Sequence, residues 1–342
     1  MHRIAVVGCG NVSQGHIQAW RERADAQIVL LVDPAIELAE ERREQQQLDP
    51  ATPIAADYRA ALAAADVEIV DICSPSDCHA EQIAAALEAG KHLVTEKPTG
   101  YNLEECRMLR YYRRRFPELK VAVAYSLRYY PVNMEIKRLL NAGAIGRIIS
   151  AQFAWNHGHD LEAPPPQPPS MIGSLCDRGG RYIPGSEACG PTHVFDLARY
   201  LIGDPREVFA YRGGHGVHAL AIFAEEVVAS MQAGTVASQG LRAPVVCVLY
   251  GTAGSIHGGM DQHGAYTGII CDHDGPRPIE ASPEAGHGDT TRTANIIAAI
   301  EHDEPLICDL EDGIRTSEML HALWDSYTLG IRVPVHSANK TG

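Results

Sequence analysis

The chain has 342 residues, 45% apolar and 21% charged, a balance ordinary for a globular protein with room for two domains. Its formal charge of −14 excludes sequence-independent binding to DNA, RNA or anionic lipid, each of which needs a basic face. No apolar run approaches the length of a membrane span, so no membrane partner is expected and the expected location is cytoplasmic.

Residues 3–7 are a short buried-strand pattern running into Gly8-Cys9-Gly10-Asn11-Val12-Ser13 and a helix-like segment at 14–23. A second apolar run, 28–32, ends at Asp33. Strand, glycine turn, helix, strand and terminal acid in that order form the dinucleotide-binding fingerprint. Gly8 permits the tight turn, Gly10 admits the pyrophosphate to the backbone, and the N–H groups at Asn11, Val12 and the start of the helix face that charge. The third glycine position is Ser13, small enough for close helix–strand packing. Asp33 is placed to accept the adenosine ribose hydroxyls and to repel the 2′-phosphate of NADP. Pro34 and Ala35 bring no positive charge, and Arg42 and Arg43 are read as solvated, so the expected cofactor is NAD.

Helices are predicted at 36–47, 58–65, 79–89 and 103–115, alternating with strands at 53–54, 68–73, 92–95 and 120–124. That alternation predicts a parallel sheet covered on both faces, with the ligand beyond the C-terminal strand ends. Gly8, Asp33, Ser74, Pro75, Glu96 and Lys97 all lie at such ends, in one crevice. Beyond residue 124 a helix at 131–142 leads to strands at 147–155, 207–212, 219–223, 226–233, 245–250 and 268–271, then helices at 292–302 and 309–329. The expected architecture is an α/β Rossmann domain over 1–124 and an α+β domain over 125–342 with a large, mainly antiparallel sheet, its C-terminal helix packing back on the core. Within the second domain, the proline-rich insertion 158–190 is stiff loop, either a cover for the active site or a surface insertion.

Nine cysteines without a C-x-x-C pair indicate neither a disulfide framework nor a zinc site, and the histidines at 156–160 and 271–274 match no trusted ligand spacing. No metal is expected.

Several ordered motifs stand out: Gly8-Cys9-Gly10; Ser74-Pro75 with His79; Ala89-Gly90-Lys91-His92 leading to Glu96-Lys97-Pro98; Arg128-Tyr129-Tyr130-Pro131; Gly143-Ala144-Ile145-Gly146; Gly190-Pro191-Thr192-His193-Val194-Phe195-Asp196; and Glu311-Asp312-Gly313. Together they resemble the Gfo/Idh/MocA family of sugar and cyclitol oxidoreductases over nearly the whole chain. The resemblance implies that Lys97 and His193 are the catalytic pair. The chemistry is coherent: hydride transfer from a carbinol carbon requires the hydroxyl proton to leave, and a desolvated lysine or a histidine can take it. Taken alone, Lys97 reads as a surface lysine in a turn, and His193 reads equally as a helix cap. Glu96 reads as a contact to the cofactor ribose or as an orienter of the lysine, and His79 joins the cofactor-binding set.

Family dehydrogenases carry an aspartate four residues before this histidine, where this chain has Cys189. Asp177, Glu187 or Asp196 supplies the charge, or lysine and histidine work alone; Asp196, three residues on from His193, shares its helix face. Tyr125, Arg128, Trp155, Asn156, His157 and Cys189 complete the candidate substrate contacts. For Arg128 a tie between the domains, and for residues 155–157 ordinary strand-end packing, are the competing readings. The expected activity is hydride exchange between NAD and a secondary hydroxyl or ketone of a sugar or cyclitol, bound between the two domains. The alternatives are an NAD-dependent glycosidase with no net redox and a non-catalytic NAD-binding sensor. The resemblance also implies a homo-oligomer, dimer or tetramer, paired through the open sheet.

Overall fold

The structure, a computed structural model, describes residues 1–100, 102–159, 190–213, 216–237, 245–260, 265–281 and 288–335. It divides into two compact units. Met1–Ser126 with Gly286–Ile314 form the first, and Leu127–Ala285 with Arg315–Gly342 the second.

The first unit alternates β1 (His2–Val7), α1 (Ser13–Arg21), β2 (Ala26–Val32), α2 (Ile36–Gln45), β3 (Ile54–Ala55), α3 (Arg59–Ala63), β4 (Ile69–Ile72), α4 (His79–Glu88), β5 (His92–Thr95), α5 (Leu103–Arg115) and β6 (Val121–Val123). The strands are parallel in the order β3-β2-β1-β4-β5-β6. That order reverses between β1 and β4, which opens the ligand crevice at their carboxyl ends. The apolar runs read from the sequence become strands buried on both faces, as a covered parallel sheet requires. Asn102 caps α5, its side chain accepting from the Glu105 N–H at 2.9 Å.

In the second unit α6 (Pro131–Asn141) precedes β7 (Ile148–His159), α7 (Gly190–Ile202), β8 (Glu207–Gly213), β9 (Gly216–Ile222), β10 (Val228–Ala237), β11 (Val245–Gly251), β12 (Ser255–Met260), β13 (Tyr266–Asp272) and β14 (Gly275–Pro278). Then follow α8 (Gly288–His302), α9 (Leu310–Leu329) and β15 (Val333–Pro334). Among the described residues the sheet has nine strands, ordered β14-β13-β12-β11-β7-β10-β9-β8-β15. Its pairs are antiparallel except β7 with β10. The helix α7 lays Val194, Leu197, Ala198 and Leu201 onto one face, against Phe153, Ala229 and Met231. Those positions recur at helical spacing, and full burial of each such side chain stabilises by about 1.5–3 kcal/mol.

Three expectations need correction. Strands β12, β14 and β15 went unread. The segment at 156–159 is the end of a strand rather than a glycine-rich turn. Residues 286–314, assigned from sequence to the second domain, cluster with the first: α8 packs against α1 and β6, and Asp309 bridges to Ala122. Helix α8 and the first turn of α9 thus pack on the core of the first unit, while Met319, Leu320, Ala322 and Leu323 of the C-terminal helix α9 are buried in the core of the second.

Candidate active site

The crevice of the first unit is built at the carboxyl ends of β1, β2, β4 and β5. Gly8 leaves β1 with φ of +94°, and a Cβ there would lie 2.6 Å from the Cys73 carbonyl carbon and the Ser74 nitrogen. Only glycine fits that backbone conformation and that approach. A Cβ on Gly10 would meet nothing within 4 Å, so this turn of the loop is open to a ligand. Val12, the N-cap of α1, brings no side-chain acceptor to the first-turn N–H groups; Asn11 and Val12 are exposed. A helix N-terminus without a capping side chain, beside open space, fits a pyrophosphate. Asp33, at the end of β2, accepts from the Cys9 N–H at 2.8 Å and the Ala35 N–H at 2.9 Å. Its carboxylate thus braces the glycine loop from below.

Arg42 is not solvated. It is 4% exposed, with Nε donating to the Cys9 carbonyl at 3.1 Å and Nη1 to Gln45 Oε1 at 2.7 Å. The reason is helical spacing: Ala39 and Arg42 lie one turn apart on the inner face of α2. Burial and the Asp33 carboxylate push the Cys9 thiol up to about 12, which leaves it an unreactive packing group.

At the end of β4 the Ser74 hydroxyl donates to Gln82 Oε1 at 2.5 Å, and Pro75 is exposed at the crevice. His79 was expected among the cofactor contacts. It is 1% exposed, with Nδ1 2.8 Å from the Pro98 carbonyl and Nε2 2.8 Å from the Ser74 carbonyl. Its ring joins the two walls of the crevice from behind. Burial pushes its pKa below the ordinary value.

Beyond β5 come Glu96 and Lys97, the latter joined to Pro98 by a cis peptide. The Lys97 side chain is 5% exposed, and Nζ lies 3.9 Å from Glu96 Oε2, an ion pair longer than a hydrogen bond. The Lys97 N–H donates to the same oxygen at 3.2 Å. The other oxygen of Glu96 is 3.2 Å from His16 Nε2, and His16 Nδ1 is 2.8 Å from Asp71 Oδ1. Asp71, in the middle of β4 and wholly buried, also accepts from Trp20 Nε1 at 2.7 Å. Sequence reasoning missed His16, Trp20 and Asp71. The signal was present: an aspartate inside an apolar central strand, and a histidine on the Ser13, Ile17, Trp20 face of α1. Burial pushes the Glu96 pKa up, but the His16 hydrogen bond and the Lys97 charge hold it below its ordinary 4.5.

In the second unit His193 sits in the first turn of α7, 6% exposed, its ring centroid 5.1 Å from that of Trp155 on β7. The structure brings these two expected residues together and separates Asn156 from them. Successive strand residues face opposite ways, so Asn156 lies on the other side of the sheet, where its Oδ1 accepts from Gln232 at 3.1 Å. His157 pairs with Thr235 in the β7–β10 ladder. Arg128 is 3% exposed and donates twice to Asp196, Nε at 2.7 Å and Nη2 at 2.8 Å. Thr316 donates to Asp196 as well, at 2.8 Å. These bonds engage both Asp196 oxygens, and Arg128 is a buried strut within this unit. Tyr125, in the first unit, is fully buried. Cys189, Asp177, Glu187 and the proline-rich stretch up to residue 189 lie outside the described residues.

Comparison with known proteins bears on both units. Residues 2–118 match the family model described as "Oxidoreductase family, NAD-binding Rossmann fold", and residues 133–257 match the "GFO/IDH/MocA C-terminal domain". Levoglucosan dehydrogenase of Pseudarthrobacter phenanthrenivorans is 37% identical over 150 residues, 43% of this chain and 36% of that protein. Inositol 2-dehydrogenase of Rhizobium meliloti is 28% identical over 203 residues, 59% of this chain and 55% of that protein. The matches thus span about a third to a little over half the length of these curated relatives. A solved levoglucosan dehydrogenase in complex with NADH and levoglucosan shares the fold, with a TM-score of 0.83 at 22% identity over 98% of this chain and 100% of that one.

Proposed function

The chain belongs to the GFO/IDH/MocA family of oxidoreductases, its N-terminal part an NAD-binding Rossmann fold, and from that premise we propose that it exchanges a hydride between NAD and a secondary hydroxyl of a sugar, cyclitol or sugar derivative. The observation that carries this reading is the placement of the Glu96–Lys97 pair at the end of β5, in the same crevice as the open glycine loop and Asp33. Gly8, Gly10 and the start of α1 hold the pyrophosphate, and Asp33 takes the ribose hydroxyls and disfavours a 2′-phosphate. Bound NAD supplies the hydride acceptor. Lys97 Nζ takes the hydroxyl proton as the carbinol carbon gives up its hydride, and Glu96 holds the resulting ammonium. His193 is the second proton-handling group, and the Trp155 face beside it stacks on the sugar ring.

The outer face of the large sheet supports a second copy of this chain as partner. Phe209, Tyr211, Leu220, Val228 and Ile269 stand exposed on it, opposite the face covered by α7. Sedimentation equilibrium is expected to give a dimer or larger closed assembly, and Tyr211→Glu with Leu220→Glu to shift it toward monomer; a wild-type monomer at micromolar concentration contradicts the pairing.

Incubation with NAD and a panel of cyclitols, anhydrosugars, free sugars and aryl glycosides tests the activity. Reduced nicotinamide appearing with a ketone product is the expected result. NAD-requiring aglycone release without net reduction would replace it with a redox-cycling glycosidase, and NAD binding without turnover of any panel member would replace it with a sensor.

A further inference from the structure

We propose that His16 is a positioning residue for Lys97: clamped as an imidazolium between Asp71 and Glu96, it aims one Glu96 oxygen at Lys97 and offsets the charge that Lys97 feels. The inference rests on the reading of Lys97 as the proton acceptor.

Hydrogen-bond chemistry carries it. A neutral imidazole has one donor and one acceptor nitrogen, whereas an ionised carboxylate only accepts. Both ring nitrogens of His16 face carboxylate oxygens, Nδ1 to Asp71 at 2.8 Å and Nε2 to Glu96 at 3.2 Å, so only the doubly protonated ring donates to both. The ring is 2% exposed and cannot exchange these partners for water. Asp71 cannot turn away either, since Trp20 Nε1 holds Oδ2 at 2.7 Å and Cys73 Sγ approaches Oδ1 at 3.6 Å. With Oε1 fixed by His16, Glu96 presents Oε2 to Lys97 at both the main-chain N–H and Nζ. The charges alternate along the chain of contacts: Asp71 negative, His16 positive, Glu96 negative, Lys97 positive.

The surrounding groups leave that alternation standing. From α8, Arg292 is ion-paired with Asp289 at 2.7 Å, so that element brings one charge of each sign. Burial holds the Cys73 thiol up at about 12 and keeps His79 toward its neutral form. Burial and the Arg292 charge push the His16 pKa down, but the Asp71 charge and hydrogen bond outweigh them and leave it well above 6.5. Without the imidazolium, Lys97 would face carboxylates with nothing between to offset them. An ammonium beside an uncompensated carboxylate releases its proton less readily. His16 therefore orients the carboxylate that Lys97 meets and offsets its charge, although it touches neither substrate nor cofactor.

The test is competitive labelling of the Lys97 amino group by trace acetic anhydride from neutral to alkaline pH, on the full chain without cofactor, read by mass spectrometry. In His16→Gln the labelling midpoint is expected to rise by about one pH unit, and in Glu96→Gln to fall by about as much, because removing one charge of each sign acts in opposite directions. The rising limb of turnover against pH should move the same two ways, with NAD affinity within about threefold in His16→Gln. Equal midpoints in wild type and a folded His16→Gln protein overturn the proposal. Should His16→Gln fail to fold, His16→Asn decides: a raised midpoint supports the proposal, and an unmoved one overturns it. Full activity in Lys97→Met would instead overturn the function assigned to Lys97, while the labelling midpoints judge the relay independently.

Discussion

Each unit buries a network of charges, and the two networks are finished differently. Among the described residues of the second unit, the network around Asp196 and Asp204 runs through direct hydrogen bonds. Asp196 receives Arg128 twice and Thr316 once, Thr316 accepts from Arg199 at 2.6 Å, and Arg199 and Arg315 converge on Asp204, each at 2.5 Å. In the first unit the chain from Trp20 through Asp71, His16 and Glu96 ends on an amino group 3.9 Å from its carboxylate. Direct hydrogen bonds at every step fix a structure, and a last step left long leaves a proton that can move. The contrast teaches where to look for chemistry among buried ions: at the end of the network whose last contact is incomplete.

Breaking the closed network should have the largest effect on stability. Asp196→Ala removes the carboxylate that accepts two hydrogen bonds from the buried Arg128 and is expected to cost about 3–5 kcal/mol, seen as a lowered denaturant midpoint. A loss below about 1 kcal/mol would contradict the strut role given to this pair. Gly8→Ala, with φ of +94° and backbone atoms 2.6 Å from the new Cβ, should cost roughly 1–3 kcal/mol and weaken NAD binding in calorimetry. Unchanged NAD affinity there would remove the loop from the cofactor site. A matched pair sharpens the contrast. Thr316→Val and Trp20→Phe each delete one donor to a buried carboxylate and should each cost about 1–3 kcal/mol, yet only Trp20→Phe should also alter the pH dependence of turnover. Equal shifts in both variants would erase the distinction.

The smallest effect expected is in stability against pH. The His16 pKa is raised, so its contribution is fully present below its ordinary 6.5 and is lost as pH rises through the folded value. The Glu96 and Asp204 pKa values are lowered, so theirs are present above the ordinary 4.5 and 3.8 and are lost as pH falls through the folded values. Hydrogen exchange in α1 should therefore quicken on both the acid and the alkaline side. In α7 these groups call for quickening on the acid side alone. An α1 that protects equally at neutral and alkaline pH would contradict the imidazolium.

The crevice was legible because its parts are local: the run from β1 through the glycine loop to Asp33 is contiguous, and the Glu-Lys-Pro turn follows a clear strand. Groups joined across the fold were not. Asp71 is a single polar residue in an apolar strand, and its meaning depends on His16, 55 positions away. Arg42 reads as a surface residue until α2 turns it under the loop. Asn156 was grouped with Trp155 by adjacency, whereas strand alternation sets them on opposite faces. Strand β12 carries Gly258 and Gly259, which interrupt the alternation that marks a strand. In the sheet Gly258 clears space for Ile136 of α6, whose Cδ1 would lie 2.7 Å from an added Cβ. The return of residues 286–314 to the first unit is a packing fact with no local signature.

The most direct measurement on the central claim is the kinetics of Lys97→Met beside wild type, with NAD affinity determined calorimetrically on both. Loss of a positioned proton acceptor should lower kcat by about 10²–10⁴-fold while NAD binding stays within a few-fold. A variant that binds NAD normally and turns over at the wild-type rate would contradict the assignment of Lys97 as the group that takes the substrate proton.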